Sequence, residues 1–132
     1  DSVDIASYLI CSVSKNRAEA MRRARIHVGM YTAGTPIGDE ITRWHGLEAD
    51  MLAVRQALMT EGPQALEHAT SDRLVEAFSL AGTPDECRQQ LRQYESVMPG
   101  RTIILHTPYV PPLTREESAD AFKNIVEAFG RA

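Results

Sequence analysis

Short apolar runs alternate with amphipathic stretches along this chain. Residues 5–13 (IASYLICSV) are almost continuously apolar, which is typical of a strand buried on both faces of a parallel sheet. Residues 102–106 (TIILH) are apolar and rich in β-branched side chains, and they predict a second buried strand. Residues 78–81 allow either a short strand or the end of a helix. The pattern therefore predicts an α/β fold with parallel strands.

Stretches between these runs carry apolar residues at three- and four-residue spacing, the period of an amphipathic helix. We predict a helix over residues 15–33 with Ser14 as its cap, and another over residues 47–60. The expected buried face of the first consists of Ala18, Met21, Ala24, Val28 and Tyr31. That of the second consists of Leu47, Met51, Val54 and Leu58.

Two shorter helices are predicted in the middle of the chain. Pro63 can begin a helix over residues 63–68, because its missing amide costs nothing at the first helical position. Ser71 is expected to cap another helix over residues 72–79. Both are short enough to act as connections between longer elements.

Capping boxes mark the last two helices. Thr83 with Glu86, and Thr114 with Glu117, have the spacing in which each residue's side chain binds the other's backbone N–H. They predict one helix that stops at Pro99-Gly100 and one that ends at Gly130. The expected buried residues of the last helix are Ala119, Phe122, Ile125, Val126 and Phe129.

Composition places all 132 residues in one domain, since the chain is 43% hydrophobic and too short for two ordinary domains. A net charge of −4 argues against nucleic acid as a partner. Apolar runs fall far below the roughly 20 residues that cross a bilayer. Cys11 and Cys87 stand far apart, which favours a reducing, cytoplasmic location. The first four residues resemble neither a native start nor a signal peptide, so we expect a cut end.

Known catalytic motifs are missing from the sequence. It contains no glycine-rich nucleotide loop, no Gly-x-Ser-x-Gly and no Cys-x-x-Cys. The four histidines are too widely spaced for a zinc site, so no metal is predicted, and no catalytic residue can be named. The turn at residues 82–84 is interpreted as structural, because Pro84 lacks a donor while Asp85 and Glu86 would repel an anion.

Candidate binding residues follow from position. Ligands of parallel α/β sheets lie at the carboxyl ends of strands, and the residues at those places are Ser12, Ser14, His106, Thr107 and Tyr109. We take Ser12, His106 and Tyr109 as candidate cofactor-binding residues. Structural alternatives remain open, because Ser14 can be a helix cap and His106 a wall residue. Tyr109 can form a lid over a pocket or close a local core.

Residues 34–46 begin with consecutive turn signals, so we expect an irregular stretch around Trp44 and His45. Such a stretch can be a substrate loop, since functional residues concentrate on loops. The alternative, that the chain's one tryptophan anchors the loop to the body of the protein, is favoured.

Several of these segments together resemble the carboxyl-terminal part of luciferase-like monooxygenases. The resemblance rests on residues 80–87 (LAGTPDEC), a helix ending at Tyr94, the strand 103–106 and residues 122–130 (FKNIVEAFG). It is strongest over residues 72–130 and is closest to the branch that uses coenzyme F420. The resemblance implies an oxidoreductase of small molecules with FMN or coenzyme F420 as cofactor, whose ring carries out the hydride chemistry.

The family fold implied by this resemblance is a (β/α)₈ TIM barrel of about 250 residues, about twice this chain's length. We therefore expect a helix-rich partial barrel with the last β/α units only, inactive alone. Its open strand edges and bare apolar face predict self-association, binding of the missing barrel half, or helices rearranged over that face. The alternatives are a truncated, non-catalytic homodimeric α/β binding module and an unrelated helix-rich regulatory domain.

Overall fold

The computed structural model describes Val3 and residues 5–130, so the expectation about a cut end, which concerns Asp1, Ser2 and Asp4, lies largely outside it. Three strands and seven α-helices, with a 3₁₀ turn at Pro63–Ala65, make up the described part. The strands are β1 (Ala6–Val13), β2 (Ser79–Gly82) and β3 (Thr102–His106). The helices are α1 (Arg17–Ala33), α2 (Ile37–Trp44), α3 (Glu48–Glu61), α4 (Leu66–Ala69), α5 (Asp72–Phe78), α6 (Pro84–Val97) and α7 (Arg115–Phe129).

The strands form one parallel sheet in the order β2-β1-β3, which confirms the predicted α/β class. Ile10 on β1 is level with Ser79 on one side and with His106 on the other. β1 lies at the centre, whereas neighbouring strands of a barrel follow chain order. The chain moves from β1 to β2 in one direction and from β2 to β3 in the other. Right-handed connections in opposite directions place their helices on opposite faces of the sheet.

Both faces of β1 are consequently covered. Ile10 packs into a core with residues of α1 and α3, among them Ile26 and Met51. Its neighbour Cys11 points to the opposite face, where it packs with Cys87 of α6 and residues of α7. Cys11 is fully buried there. The bare apolar face expected of a part-barrel is therefore absent from the carboxyl half of β1, and helices occupy both sides.

The two outer strands differ. Every residue of β2 is buried, whereas Thr102 of β3 is exposed and the rest of that strand is half-buried. On the outer edge of β2, the Gln90 carboxamide accepts a hydrogen bond from the Ala81 N–H at 3.0 Å and donates one to the Ala81 carbonyl at 3.1 Å. These are the groups that another strand would pair with. Gln90 therefore takes the place of a neighbouring strand.

Several helix predictions are confirmed with small shifts. Both capping boxes are formed, Ser71 caps α5, and the competing interpretations of residues 78–81 are resolved in favour of β2. The cap of α1 is an exception, because Asn16 rather than Ser14 accepts the hydrogen bond from the Glu19 N–H. The Ser14 hydroxyl instead accepts from the Asn16 N–H.

Two other predictions are wrong. The stretch around Trp44 is not irregular, since Trp44 ends helix α2, and its side chain is 87% exposed, so it does not anchor this segment to the body of the protein. The predicted buried faces of α1 and α7 also differ from the observed ones. Ala18 and Tyr31 are exposed, while α1 buries residues on several sides because helices pack against it in addition to the sheet. In α7 the small residues Ala121 and Ala128 face the sheet with Ile125, and Ala119, Phe122 and Val126 are exposed.

Candidate functional site

Four rings meet where β3 ends, on the sheet face that α1 covers. Tyr8 lies on β1, His27 on α1, His106 at the end of β3 and Tyr109 in the loop after it. We call them the ring cluster. The His106 and Tyr109 rings stack nearly parallel with centroids 5.3 Å apart. The His27 ring lies 5.1 Å from each of them, and Tyr8 meets His106 edge-on at 6.1 Å.

His27 fixes the loop to the helix. The Tyr109 backbone N–H donates a hydrogen bond to His27 Nδ1 at 3.2 Å. This bond requires a lone pair on Nδ1, so the neutral ring carries its proton on Nε2. Burial, with the adjacent His106 as a smaller cause, lowers the pKa of His27 to about 4. His27 is therefore neutral at physiological pH and acts as an acceptor.

The solvent side of the ring cluster is open. Tyr109 is 60% exposed and Tyr8 is 69% exposed, while His106 is half-buried between them. A stacked pair of rings with an exposed outer face can bind a second flat, conjugated ring by offset stacking. Of the two interpretations of Tyr109, the geometry favours a surface ring that can cover a ligand over the closure of a local core.

The carboxyl end of β1 is closed by ion pairs. The first two turns of α1 and of α7 are joined there, although the two helices pack on opposite faces of the sheet. Arg22 pairs with Glu117, and Arg23, whose side chain is 7% exposed, pairs with Asp120 at 2.8 Å. The Thr114 N–H and Arg22 lower the pKa of Glu117, and Arg23 lowers that of Asp120. Both carboxylates therefore stay charged well into the acidic range.

These contacts leave little room for an anion. The N-terminal turns of α6 and α7 are both acidic and both capped by their own threonine and glutamate side chains. Such a turn repels phosphate rather than binding it. The structural interpretation of the turn at residues 82–84 agrees with this geometry, because Thr83 accepts from the Glu86 N–H while the Glu86 carboxylate accepts from the Thr83 N–H.

The structure brings together only two of the three candidate residues. His106 and Tyr109 are in contact, whereas Ser12 is fully buried and its hydroxyl donates to the Ala20 carbonyl at 2.7 Å. Ser12 therefore holds α1 to β1 in this structure. His27 was missed as a site residue. His27 lies three residues after Ala24 and seven after Ala20, which are both buried in α1. This helical spacing indicates that His27 shares their buried face.

Two clefts lie away from the ring cluster. One of about 460 Å³ borders β2 between Met21, Val75 and Tyr94, and one of about 450 Å³ lies beside Ser14 and Asn124. Among the described residues, no three His, Cys, Asp or Glu side chains are grouped so as to hold a metal ion. No helix in the described ranges is both long and apolar enough to cross a membrane.

Comparison with known proteins identifies a family. The model of the family described as luciferase-like monooxygenase matches residues 1–99. The match thus begins at the first residue and is not concentrated in residues 72–130, where the resemblance was expected to be strongest.

Two curated relatives are 5,10-methylenetetrahydromethanopterin reductases. That of Methanolobus tindarius is 30% identical over 93 residues, which are 69% of this chain and 28% of the relative. That of Methanopyrus kandleri is 28% identical over 86 residues, or 64% of this chain and 24% of the relative. The chain thus spans about a quarter of the length of these relatives.

A solved structure shares the fold. The coenzyme F420-dependent tetrahydromethanopterin reductase from Methanopyrus kandleri aligns with a TM-score of 0.67 at 21% identity. The alignment covers 96% of this chain and 35% of the reductase. This likeness supports the prediction of a partial barrel, while the three strands of the described chain keep the order β2-β1-β3.

Proposed function

The chain belongs to the luciferase-like monooxygenase family, and on that basis we propose that it forms part of a coenzyme F420-dependent oxidoreductase acting on a small molecule. Two observations support the choice of F420 over FMN. The matched relatives are named as reductases of tetrahydromethanopterin derivatives, and the structural neighbour is named as F420-dependent. We propose a cytoplasmic location, and the carboxyl-terminal β/α units as the part that this chain supplies.

The ring cluster carries the proposal within this chain. Coenzyme F420, when bound, supplies hydride transfer through its planar deazaflavin ring. The exposed face of Tyr109, supported from behind by His106, offers a wall for such a ring. His27 holds the wall in place through the Tyr109 backbone N–H. Ser12, the third candidate, would act from behind by fixing α1 and therefore His27.

The fit is partial. The described residues provide one wall for a flat ring, but the acidic, self-capped turns at the carboxyl edge provide no cradle for the coenzyme's phosphate. Binding strong enough for catalysis would need residues beyond those described. We therefore propose that the chain alone is inactive and is completed at the β3 side, by a second copy or by the remaining barrel half.

A titration followed by NMR tests this assignment. Millimolar F420 is expected to shift the resonances of His106 and Tyr109, and FMN to shift them less. Tyr109→Ala should weaken the F420 effect about two- to tenfold, the usual range for loss of a stacked ring. Phe122→Ala is the matched control, because Phe122 is also 60% exposed but lies on α7.

The outcomes separate the candidate functions. Shifts confined to the ring cluster and lost in Tyr109→Ala support the proposal. Shifts centred on another surface, or an unchanged affinity in that variant, would exclude the ring cluster as the binding wall. No response to F420 or FMN favours the alternative, a non-catalytic homodimeric binding module.

A further inference from the structure

The chain's two cysteines lie together beneath α6, on the sheet face that α7 also covers. Cys11 is on β1 and Cys87 is in the first turn of α6, and both are fully buried in the same apolar cluster. The Cys87 thiol donates to the Ser12 carbonyl at 3.7 Å, one residue along β1 from Cys11. Hydrogen bonding with the Cys87 thiol, together with burial, raises the pKa of Cys11. Two residues far apart in the sequence therefore form a dithiol in the folded chain.

The dithiol is shielded from oxidants while α6 is in place. The thiolate is the reactive form of cysteine, and apolar surroundings disfavour it. Neither Cys11 nor Cys87 has any surface in contact with solvent. Oxidation of either thiol therefore requires α6 to move away from the sheet.

Helix α6 is attached to the sheet by few buried groups. Within Pro84–Val97, Cys87 is the one buried residue, whereas α7 on the same face buries three within Arg115–Phe129. The polar contacts of α6 include that of the Gln90 carboxamide with Ala81. Elements with few buried contacts open locally before the whole chain unfolds. We therefore expect α6 to open and close over the dithiol while the rest of the chain stays folded.

We propose that Cys11 and Cys87 are a redox-sensitive pair, in which a peroxide oxidises Cys87 when α6 opens and closure of α6 then forms a disulfide that fixes this helix to β1. Such a disulfide is compatible with the proposed cytoplasmic location, because disulfides in that compartment are usually transient and redox-sensing. The proposal does not depend on the oxidoreductase assignment, since the dithiol and the ring cluster lie on opposite faces of the sheet.

The reaction takes place in two steps. The Cys87 sulfur attacks one oxygen of hydrogen peroxide, the O–O bond breaks, and Cys87 sulfenic acid and water result. The Cys11 sulfur then attacks the Cys87 sulfur, the S–O bond breaks, and the hydroxyl leaves as water with the Cys11 proton. Two electrons pass in total from the two sulfurs to the two peroxide oxygens. Cys87 takes the first step because it moves with α6, whereas Cys11 lies on the central strand.

Mass spectrometry of the wild-type chain tests the pair. After treatment with excess hydrogen peroxide the intact chain should lose two hydrogen atoms, and dithiothreitol should restore them. Digestion without reductant should give a linked pair of peptides containing Cys11 and Cys87. The oxidised chain should melt about 10 °C higher, because the cross-link closes a long loop. Dimedone, which traps sulfenic acids, should label Cys87 in Cys11→Ala faster than it labels Cys11 in Cys87→Ala.

Three variants test whether opening of α6 controls the reaction. Gln90→Ala should accelerate oxidation at least about fivefold, because the rate follows the population of the open form. Gln89→Ala is the matched control on the exposed side of α6 and should react at the wild-type rate. Val54→Ala removes a buried side chain from the core on the other face, so it should accelerate oxidation less than Gln90→Ala if α6 opens locally. Circular dichroism checks that each variant remains folded.

Four results would overturn the proposal. One is a wild-type chain that keeps both thiols or gains oxygen atoms without losing two hydrogens. Another is a disulfide that joins two chains instead of Cys11 and Cys87 of one chain. The third is an oxidised chain that melts no higher than the reduced one. The fourth is faster oxidation in Val54→Ala than in Gln90→Ala, which would place the reaction in the unfolded chain. None of these results bears on F420 binding, so the two proposals can fail separately.

Discussion

The two edge strands of the sheet contrast in how the chain covers them. β2 is buried along its whole length, and Gln90 satisfies the outward N–H and carbonyl of Ala81. β3 is half-buried at best, and the exposed rings of Tyr8 and Tyr109 lie beside it. The two strands flank the same central strand and differ mainly in what packs outside them.

This contrast distinguishes the side of the sheet that stabilises the fold from the side that we propose binds ligand. Where α5 and α6 pack around β2, even an edge strand can be covered with side chains of the same chain. At the end of β3, α1 places only His27 behind the stacked rings, and Tyr109 stays 60% exposed at the strand's carboxyl end. Ligands of parallel sheets bind at that end. We accordingly expect ligand to bind on the β3 side, and we expect the β2 side to contribute more to the stability of the fold.

Truncating one core residue on each strand should give the largest difference. Leu80→Ala on β2 removes a fully buried side chain and is expected to destabilise the fold by about 3 kcal/mol. Ile104→Ala on β3 should cost about 1 kcal/mol, because Ile104 is only half-buried. Urea unfolding of both variants measures the two values. Equal losses would show that the β3 side is as well packed as the β2 side.

Lowering the pH should decrease the free energy of unfolding through protonation of His27 in the unfolded chain. The pKa of about 4 in the folded chain lies below the usual value of 6.5, so only the unfolded chain gains a proton between these values. The contribution of His27 to the free energy of unfolding is complete above pH 6.5 and is lost as the pH falls to 4. The loss amounts to about 2–3 kcal/mol. His27→Gln should remove this part of the slope in urea unfolding at pH 7, 5.5 and 4.5. An unchanged slope would mean that His27 is accessible to protons in the folded chain.

Opening the covered edge should have the smallest effect. Gln90→Ala removes both partners of Ala81, and a cost of about 1–2 kcal/mol is expected, because water from the adjacent cleft can replace part of the loss. Hydrogen exchange at the Ala81 amide should accelerate in parallel. Gln89→Ala, on the exposed side of the same helix, is the control and should change stability by less than about 0.5 kcal/mol. If the two variants behave alike, Gln90 is not what covers the edge.

Local structure was largely predictable from the sequence. Capping boxes are decided within four residues, so Thr83 with Glu86 and Thr114 with Glu117 could be found without knowledge of the fold. Strand composition likewise located β1 and β3. Helix α2 shows where such reasoning stops. The spacing of Ile37, Ile41 and Trp44 was already helical, but the turn signals before it concealed the helix.

The site depended on contacts that no local pattern contains. His106 and Tyr109 could be proposed because they follow a strand, and the structure brings them together. His27 is 79 residues before His106 in the chain, and only the crossing of α1 over the sheet places the two rings side by side. Ser12 was also proposed from its position near the end of a strand. Its hydroxyl is buried because α1 packs over it, and this contact could not be seen from the sequence. The strand order was likewise a property of the whole chain.

The Gln90 contact covers the edge of the sheet with a side chain rather than with a strand. A glutamine side chain leaves its position by rotation about its own bonds, without any backbone rearrangement. The outward N–H and carbonyl of Ala81 can therefore be uncovered and covered again while β2 itself stays in place.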